Sequence, residues 1–180
     1  MPTSYDTGLM WFRRDLRADD NAALFHALKS CKLVYCVFVF DTEILDKLPR
    51  ADRRGEFIQE SLVDLDQQLG TLREQAAATT TARKAQATLI VRHAWASQEI
   101  PRLAKHLGAQ AVFTNHDYEP QAVLRDTLVK EALAAEGMAL HTFKDHVIFF
   151  FVDLLTQRDK PYGVFTPYKN AWLKKLTRYY

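Results

Sequence analysis

Residues 33–40 read LVYCVFVF, an octapeptide that is apolar at every position. An apolar run of this length without polar alternation is typical of a strand buried on both faces, as in parallel sheets that carry helices on both sides. Four more short apolar runs occur in the chain, at residues 8–12, 88–91, 111–114 and 139–143. The sequence therefore predicts five strands, with the strand at 33–40 central in the sheet.

Segments with helical periodicity separate these runs. The longest carries Ile58, Leu62, Leu65, Leu69 and Leu72, which step by three and four residues. A second stripe lies at 100–107 and ends at Gly108, and the third consists of Leu124, Leu128, Val129 and Leu133. The alternation of strands and helices, with right-handed crossovers, predicts a doubly wound, Rossmann-like α/β fold with a five-strand parallel sheet and helices on both faces.

Composition limits the classes of function. The chain has 180 residues, 48% of them apolar, which supports one domain with a substantial core. A net charge of +2 excludes a basic nucleic-acid footprint over the whole chain. The two cysteines, Cys31 and Cys36, show neither a metal spacing nor a disulfide framework and are predicted to be reduced, buried thiols. We expect a cytoplasmic protein without a membrane partner, since no signal peptide or membrane-length apolar run is visible.

Motifs of common enzyme chemistry are missing from the sequence. It has no glycine-rich phosphate loop, no nucleophile elbow and no Cys–His metal spacing, and its six histidines are scattered. The sequence therefore predicts no catalytic residue and no metal site.

Polar residues are concentrated where the predicted strands end. Residues 11–21, WFRRDLRADDN, follow the first run with three arginines and three aspartates. Because isolated charges near a sheet are costly to desolvate, we expect these charges to pair within the cluster. The carboxyl ends of strands are also where open α/β sheets bind ligands.

The segment 115–120, NHDYEP, follows the fourth run and contains Asp117 and Glu119. These carboxylates are either ligand-binding groups or parts of a helix start, with Pro120 at the first helical position and the acids favoured by the helix dipole. Arg125 and Asp126, further on, are expected to form a surface pair of little energetic value.

A second candidate group follows the strand at 33–40. Asp41 and the charged residues from Arg50 to Glu56 form either a solvated loop with a charged first helical turn or a rim of hydrogen-bonding groups around an aromatic ligand. In the second interpretation Phe40 lies at the base of the site.

Two regions interrupt the α/β rhythm. Residues 75–86 are rich in alanine and threonine and are interpreted as a mobile surface insertion without helical periodicity. Residues 147–152, VIFFFV, precede a polar turn and a helix for which Thr166 is the predicted N-cap and Pro167 the first residue. Since both this run and the apolar face of that helix need a partner surface, we expect a longer parent protein and self-association of the isolated chain.

Four blocks resemble the DNA photolyase and cryptochrome family. They are residues 11–21, 53–62, 115–126 and, most specifically, 162–172, which read YGVFTPYKNAW. The resemblance covers nearly the whole chain and is strongest to the N-terminal α/β domain of a bacterial cyclobutane pyrimidine dimer photolyase. A cryptochrome-like blue-light signalling protein and a stand-alone nucleotide-binding α/β protein are the alternatives, the latter disfavoured by the lack of a phosphate loop.

The resemblance implies a division of labour between two domains. Residues 1–145 are expected to form the α/β domain, which in the family holds an antenna chromophore, either methenyltetrahydrofolate or 8-hydroxydeazaflavin. Residues 146–180 are expected to be a linker and first helix leading to an FAD-binding helical domain. In the full-length protein, light-excited FAD repairs pyrimidine dimers flipped from UV-damaged DNA. The chain alone is expected to bind no FAD and to be inactive.

The same resemblance implies an antenna site. Asp117, Arg54 and Glu119 match positions of the deazaflavin pocket, and Phe40 and Asp41 complete the predicted set. Folate-binding relatives carry an Asn-Glu pair where this chain has Gln121 and Ala122, so the resemblance leaves both chromophores open.

Overall fold

The computed structural model describes residues 4–49, 52–79 and 89–176. The strands in this part of the chain are β1 (Tyr5–Phe12), β2 (Cys31–Asp41), β3 (Ile90–Ala94), β4 (Ala111–Asn115) and β5 (Ala139–Phe143). The helices are α1 (Ala22–Ser30), α2 (Thr42–Leu45), α3 (Arg54–Thr79), α4 (Ala96–His106), α5 (Pro120–Ala135) and α6 (Phe165–Lys175), with a 3₁₀ turn at Phe151–Asp153. Two compact units divide the chain, Met1–Phe143 and Lys144–Tyr180, and the α/β fold occupies the first.

All five strands are parallel and lie in the order β3-β2-β1-β4-β5. The chain winds outward from β1 to β3 and then returns to add β4 and β5 on the other side of β1. The predicted doubly wound fold is confirmed. The winding direction reverses between β1 and β4, and the crevice outside the carboxyl ends of such strands is where open α/β sheets bind ligands.

Residues of β1 alternate between two separate cores. Leu9 and Trp11 pack with α4 and α5 on one face of the sheet. Met10 and Phe12 pack with α1 and α3 on the other. Alternate side chains of a strand point to opposite faces, so a central strand that is apolar throughout can hold helices on both sides.

The predicted helical stripes are confirmed for α3 and wrong in part for α5. Leu62 and Leu65 of α3 are buried. In α5, however, Leu124 is 62% exposed and Leu128 is 47% exposed. The inward face of α5 runs instead through Ala122, Asp126, Val129 and Leu133, at helical spacing. Asp126 can occupy one step of this inward face because it pairs with Arg13, whose side chain is also buried.

The strand β2 is less buried than its composition predicts. Its amino-terminal half is partly exposed, and Leu33 is 41% exposed. The cause is the short length of β3, which begins at Ile90 rather than at the predicted residue 88 and pairs with β2 only from Val37 onward. Residue 88 itself lies outside the described residues.

Two predictions about helix limits need correction. Residues 75–79, expected to lack helical structure, continue α3, because a helix that is anchored by its earlier stripe extends readily through alanine; residues 80–86 lie outside the described part. Helix α6 begins at Phe165, and Val164 occupies the N-cap position without a side-chain hydrogen bond. Thr166 is therefore not the cap, and Pro167 is the third residue of α6 rather than the first. The backbone N–H groups of the first helical turn have no intrahelical partner, so a proline there removes no helical hydrogen bond.

The second unit has its own small apolar cluster. Phe149 is buried and meets the ring of Trp172 edge-on at 5.6 Å between centroids. Val152 and Leu173 remain more than half exposed. The predicted apolar run at 147–152 is thus only partly covered within its own unit.

Both cysteines are free thiols. Cys31 is buried and Cys36 is partly buried, and burial raises the pKa of Cys36 to about 12.

No helix within the described ranges combines the length and apolar character of a membrane span.

Gly8 provides a test of sheet packing. A Cβ atom at this position would lie 2.5 Å from Sγ of Cys31 and 3.2 Å from the ring of Phe113. We predict that Gly8→Ala lowers the free energy of unfolding by about 1–3 kcal/mol through overpacking. The double variant Gly8→Ala/Cys31→Ala should regain at least half of this loss, since removal of Sγ makes room. Urea unfolding of wild type, the two single variants Gly8→Ala and Cys31→Ala, and the double variant measures the coupling, and an unperturbed Gly8→Ala would contradict this packing.

Candidate ligand-binding site

A buried network of side chains joins the carboxyl ends of β1 and β4. Asn115, at the end of β4, donates to the Asp15 carboxylate at 2.6 Å and to the Asn21 side-chain oxygen at 3.0 Å. Its own side-chain oxygen accepts from the backbone N–H of Ala23 at 2.9 Å. Asn21 caps α1 through the N–H of Leu24 and donates to Asp15 at 3.1 Å. Two strands and the start of α1 are therefore held by one set of mutually satisfied polar groups.

Two of the three arginines in the 11–21 cluster bind groups at the end of β4 or beyond it, whereas Arg17 donates to the backbone oxygen of Asp20. Arg13 pairs with Asp126 at 2.6 Å and donates to the backbone oxygen of Asn115. Arg14 contacts Asp117 at 3.2 Å and Glu119 at 2.8 Å. The expectation of pairing within the cluster is wrong for these two side chains, because β1 and β4 are neighbours in the sheet although about a hundred residues separate them in the chain.

A cavity of about 340 Å³ lies beside this junction. Its walls come from the carboxyl ends of β1 and β2, from α2, from the first turns of α3 and α4, and from the segment that enters α5. Its volume falls within the range of roughly 300–1,000 Å³ that is usual for small-molecule sites. The wall includes Trp11, Arg14, Phe40, Asp41, Ile44, Leu45, Arg54, Asp117, Glu119, Gln121, Ala122 and Arg125.

The buried part of the wall is built on Asp41 and Arg125. One oxygen of Asp41 accepts from the N–H groups of Glu43 and Ala96, at the starts of α2 and α4, at 3.1 and 3.4 Å. Its other oxygen accepts from Arg125 at 3.2 Å. The Arg125 guanidinium lies 5.8 Å from the centre of the Trp11 ring. Asp41 thus positions two helix starts and one arginine.

Arg125 and Asp126 do not form the predicted surface pair. Their side chains are only 10% and 14% exposed, and each has a different partner. Arg125 faces the cavity and Asp41, whereas Asp126 faces Arg13. Adjacent helix residues point about 100° apart, so the two charges join α5 to two different strands.

The outer part of the wall carries paired charges. Asp117 is 11% exposed, and one of its oxygens accepts from the N–H groups of Tyr118 and Glu119 at 2.7 and 3.2 Å. Glu119 is 63% exposed and binds Arg14. Arg54, 66% exposed, holds Asp52 through two nitrogens, at 2.9 and 2.6 Å, and lowers the pKa of that carboxyl to about 2.

All five residues predicted from the sequence lie on this one cavity: Phe40, Asp41, Arg54, Asp117 and Glu119. Phe40 contributes an aromatic wall and packs edge-on against Phe38 at 5.0 Å. The helix-start interpretation of 115–120 also holds, because Pro120 is the first residue of α5. The two interpretations are compatible, and the role of the five residues in binding stays a prediction.

Sequence reasoning missed the part played by Trp11, Arg14 and Arg125. The signal for Trp11 and Arg14 was present, since both stand at the end of the first strand. Arg125 follows Gln121 by one helical turn and therefore lies on the same face of α5. That spacing could have placed Arg125 on the wall with Gln121.

Burial affects two titrating groups behind the site. It lowers the pKa of His116 from its usual 6.5, with a smaller opposing contribution from Asp126. Burial also raises the pKa of Asp126, against the effect of Arg13. Within the described ranges, no three His, Cys, Asp or Glu side chains are grouped so that they could hold a metal ion.

Comparison with known proteins gives the family. The sequence matches the family model described as DNA photolyase over residues 8–179. The chain belongs to the DNA photolyase family and corresponds to the N-terminal α/β domain of its members. It is similar to the deoxyribodipyrimidine photo-lyase of Vibrio cholerae, with 32% identity over 92% of the chain and 33% of that protein, and to cryptochrome-1 of Arabidopsis thaliana, with 26% identity over 89% of the chain and 22% of that protein.

Solved structures show the same fold. A class III photolyase from Agrobacterium tumefaciens superimposes with a TM-score of 0.77 and 25% identity, over 98% of this chain and 33% of that one. An archaeal photolyase from Sulfolobus tokodaii, whose structure contains two FAD molecules, gives a TM-score of 0.73 and 26% identity, over 96% of this chain and 36% of that one. The chain thus spans about a third of the length of the photolyases that it matches.

The buried network yields a prediction about stability. Replacing Asn115 by Leu removes both donors to Asp15 and Asn21 and the acceptor for Ala23 while keeping a similar volume. We expect a loss of about 2–4 kcal/mol in the free energy of unfolding, because buried polar groups lose their partners. Gln110→Leu, just before β4, is the matched control: its amide oxygen also accepts from backbone N–H groups, those of Asp6 and Thr7, but at an exposed position where water can replace it, so the loss should be less than about 1 kcal/mol. Equal losses in urea unfolding would contradict a special role of the network.

His116 yields a prediction about pH. Because its pKa is lowered in the folded state, protonation favours unfolding, so its contribution is intact above about pH 6.5 and declines as pH falls below that value. Urea unfolding between pH 7.5 and 5.5 should show decreasing stability, with a smaller slope in His116→Gln. His141, whose pKa burial also lowers, contributes in the same direction, so His141→Gln is the companion variant. If the free energy of unfolding depends on pH equally in His116→Gln and in wild type, His116 does not cause the loss of stability at low pH.

Proposed function

We propose that this chain is the antenna-binding domain of a light-driven deoxyribodipyrimidine photolyase and that its cavity holds the antenna chromophore. The observation that carries the proposal is the convergence of Phe40, Asp41, Arg54, Asp117 and Glu119 on one cavity at the carboxyl ends of the strands. Membership of the photolyase family supports it independently. The chromophore supplies absorption of light and transfer of the excitation energy, and the residues of the chain hold and orient it.

The wall chemistry fits a planar aromatic ring with polar edges. Trp11 and Phe40 supply aromatic surface, and Ile44 and Leu45 supply aliphatic surface. The carboxylates of Asp117 and Glu119 accept hydrogen bonds from ring N–H or hydroxyl groups, since an ionised carboxylate is an acceptor only.

Among the two family chromophores, we favour 8-hydroxydeazaflavin over methenyltetrahydrofolate. Asp117, Arg54 and Glu119 resemble the deazaflavin set, and all three lie on the cavity. Gln121 and Ala122 also line it but lack the carboxylate that folate-binding relatives carry at this step. A folate would therefore need another partner for the donors of its pterin ring.

The remaining functions belong to the full-length protein. We propose that residues 146–180 lead into a helical domain that binds FAD, and that this domain and the α/β domain together act on UV-damaged DNA. The chain alone carries neither function in this proposal. Support comes from the share of about a third that it covers in the photolyases it matches.

A cryptochrome-like signalling protein is the second candidate. The similarity to cryptochrome-1 and cryptochrome-2 of Arabidopsis thaliana, at 26% and 29% identity, favours it. The full-length protein distinguishes the two: light-dependent repair of an oligonucleotide with a single pyrimidine dimer supports a photolyase. Binding of the antenna without repair supports a cryptochrome.

Substitution of Asp117 tests the site. In the full-length protein, Asp117→Ala removes a charge-assisted hydrogen bond worth about 1.5–3 kcal/mol, which weakens chromophore binding by roughly one to two orders of magnitude. Deazaflavin should lose more than folate. Asp117→Asn should have an intermediate effect, because its side-chain oxygen still accepts from Tyr118 and Glu119. Titration of each chromophore, followed by absorption, gives the affinities.

The control for this titration is Glu136→Gln. Glu136 binds Lys105 at 2.8 Å just beyond α5 and close to the end of α4, away from the cavity. The Glu136→Gln variant should bind both chromophores with the affinity of wild type. If Asp117→Ala also binds like wild type, Asp117 is no part of the site and serves only the start of α5.

A further inference from the structure

One buried polar atom of Arg125 has no partner among the residues that the structure describes. The Arg125 side chain is nine-tenths buried, and its Nη1 nitrogen donates to Asp41. Within the described part of the chain, the Nε nitrogen is buried and has no hydrogen-bond partner. A buried donor without a partner costs free energy comparable to that of a lost hydrogen bond. A native side chain in this state calls for an acceptor, and Arg125 forms part of the cavity wall.

We propose that Nε of Arg125 donates a hydrogen bond to an acceptor atom on the inner edge of the bound ligand. This inference rests on the proposed function, because it takes the cavity to be the chromophore site. It adds a group at the buried end of the site, where Asp41 holds the guanidinium and Trp11 lies beside it. The partly exposed carboxylates of the outer wall cannot supply a donor at this place.

The acceptor is an uncharged one, such as a ring carbonyl or a ring nitrogen. Each arginine on the wall already has a carboxylate partner: Arg13 has Asp126, Arg14 has Asp117 and Glu119, Arg54 has Asp52, and Arg125 has Asp41. A phosphate or carboxylate at Nε would also lie close to the Asp41 carboxylate, which repels it. A neutral acceptor meets the N–H without that repulsion.

Asp41 is a positioning residue in this arrangement. Both of its oxygens are used by protein groups, one by the starts of α2 and α4 and the other by Arg125. It fixes the guanidinium so that Nε stays directed at the ligand position, as a supporting shell does in preorganised sites. The predicted contact between Asp41 and the ligand is replaced here by an indirect role through Arg125.

Arg125→Lys in the full-length protein tests the inference. Lysine keeps the positive charge beside Asp41 but has no Nε–H at the same place. We expect its affinity for 8-hydroxydeazaflavin to fall about ten- to a hundredfold, together with a shift in the absorption maximum of the bound chromophore because a hydrogen bond to its ring is lost. Arg102→Lys, at an exposed arginine paired with Glu99, is the matched control and should retain both affinity and spectrum.

A measurement on the wild-type protein keeps the test valid if Arg125→Lys does not fold. With ¹⁵N-labelled arginine, one side-chain Nε–Hε resonance should move downfield and exchange more slowly with water when the chromophore saturates the site. Variants of the other three wall arginines, Arg13→Lys, Arg14→Lys and Arg54→Lys, each remove their own resonance, so a response that survives in all three is assigned to Arg125. Inorganic phosphate should not displace the chromophore.

The outcomes separate this inference from the proposed function. If wild type binds a chromophore and Arg125→Lys binds it equally well with the same spectrum, or no Nε–Hε resonance responds, the inference is overturned while the proposed function stands. Displacement by phosphate overturns the neutral-acceptor part. If wild type binds neither 8-hydroxydeazaflavin nor methenyltetrahydrofolate, the proposed function fails and this inference fails with it.

Discussion

The hydrogen bonds between Asn115, Asp15 and Asn21 hold together the place where the direction of winding reverses. Burying a carboxylate and two amides is unfavourable unless every donor and acceptor is matched, so these groups fix one arrangement of β1, α1 and β4. These bonds also fix the loop after β1, so that Arg13 binds Asp126 in α5 and Arg14 binds Asp117 and Glu119 just before α5. The shape of the cavity depends on these contacts, because the Arg14 guanidinium holds both carboxylates of the outer wall.

Asp41 has a matching role on the β2 side. It joins the starts of α2 and α4 to α5 through Arg125, so that one carboxylate connects four elements around the cavity. Trp11, which is almost fully buried, lies close to two anchored guanidinium groups, with its ring centre 4.9 Å from that of Arg13 and 5.8 Å from that of Arg125. A rigid aromatic wall with anchored polar groups beside it suits the flat ring that we propose as the ligand.

Local sequence patterns were sufficient for the type and order of the strands and helices and for the edge of the sheet at which the candidate residues lie, but not for the buried pairs. Strand-end position alone brought Asp117, Glu119 and Asp41 to the correct edge, because parallel strands end on the same side. The inward face of α5 was mistaken because Asp126 interrupts the apolar spacing; its burial depends on Arg13, more than a hundred residues earlier. The spacing of Leu124 and Leu128 therefore predicted, wrongly, that these two side chains face the core. Arg125 was misjudged for the same reason, since a charge's partner across the sheet cannot be read from its neighbours in the chain.

The pairing of each wall arginine with a carboxylate has a consequence for colour. The four wall arginines bind five carboxylates, because Arg14 binds both Asp117 and Glu119, so the pairs leave one net negative charge at the partly exposed outer wall, where salt screens it. Breaking the buried pair of Arg125 and Asp41 would leave an uncompensated charge inside the cavity, where salt screens it far less. If the cavity holds a light-absorbing ligand, as proposed, such a substitution would shift the absorption wavelength of that ligand while the fold around it stays the same.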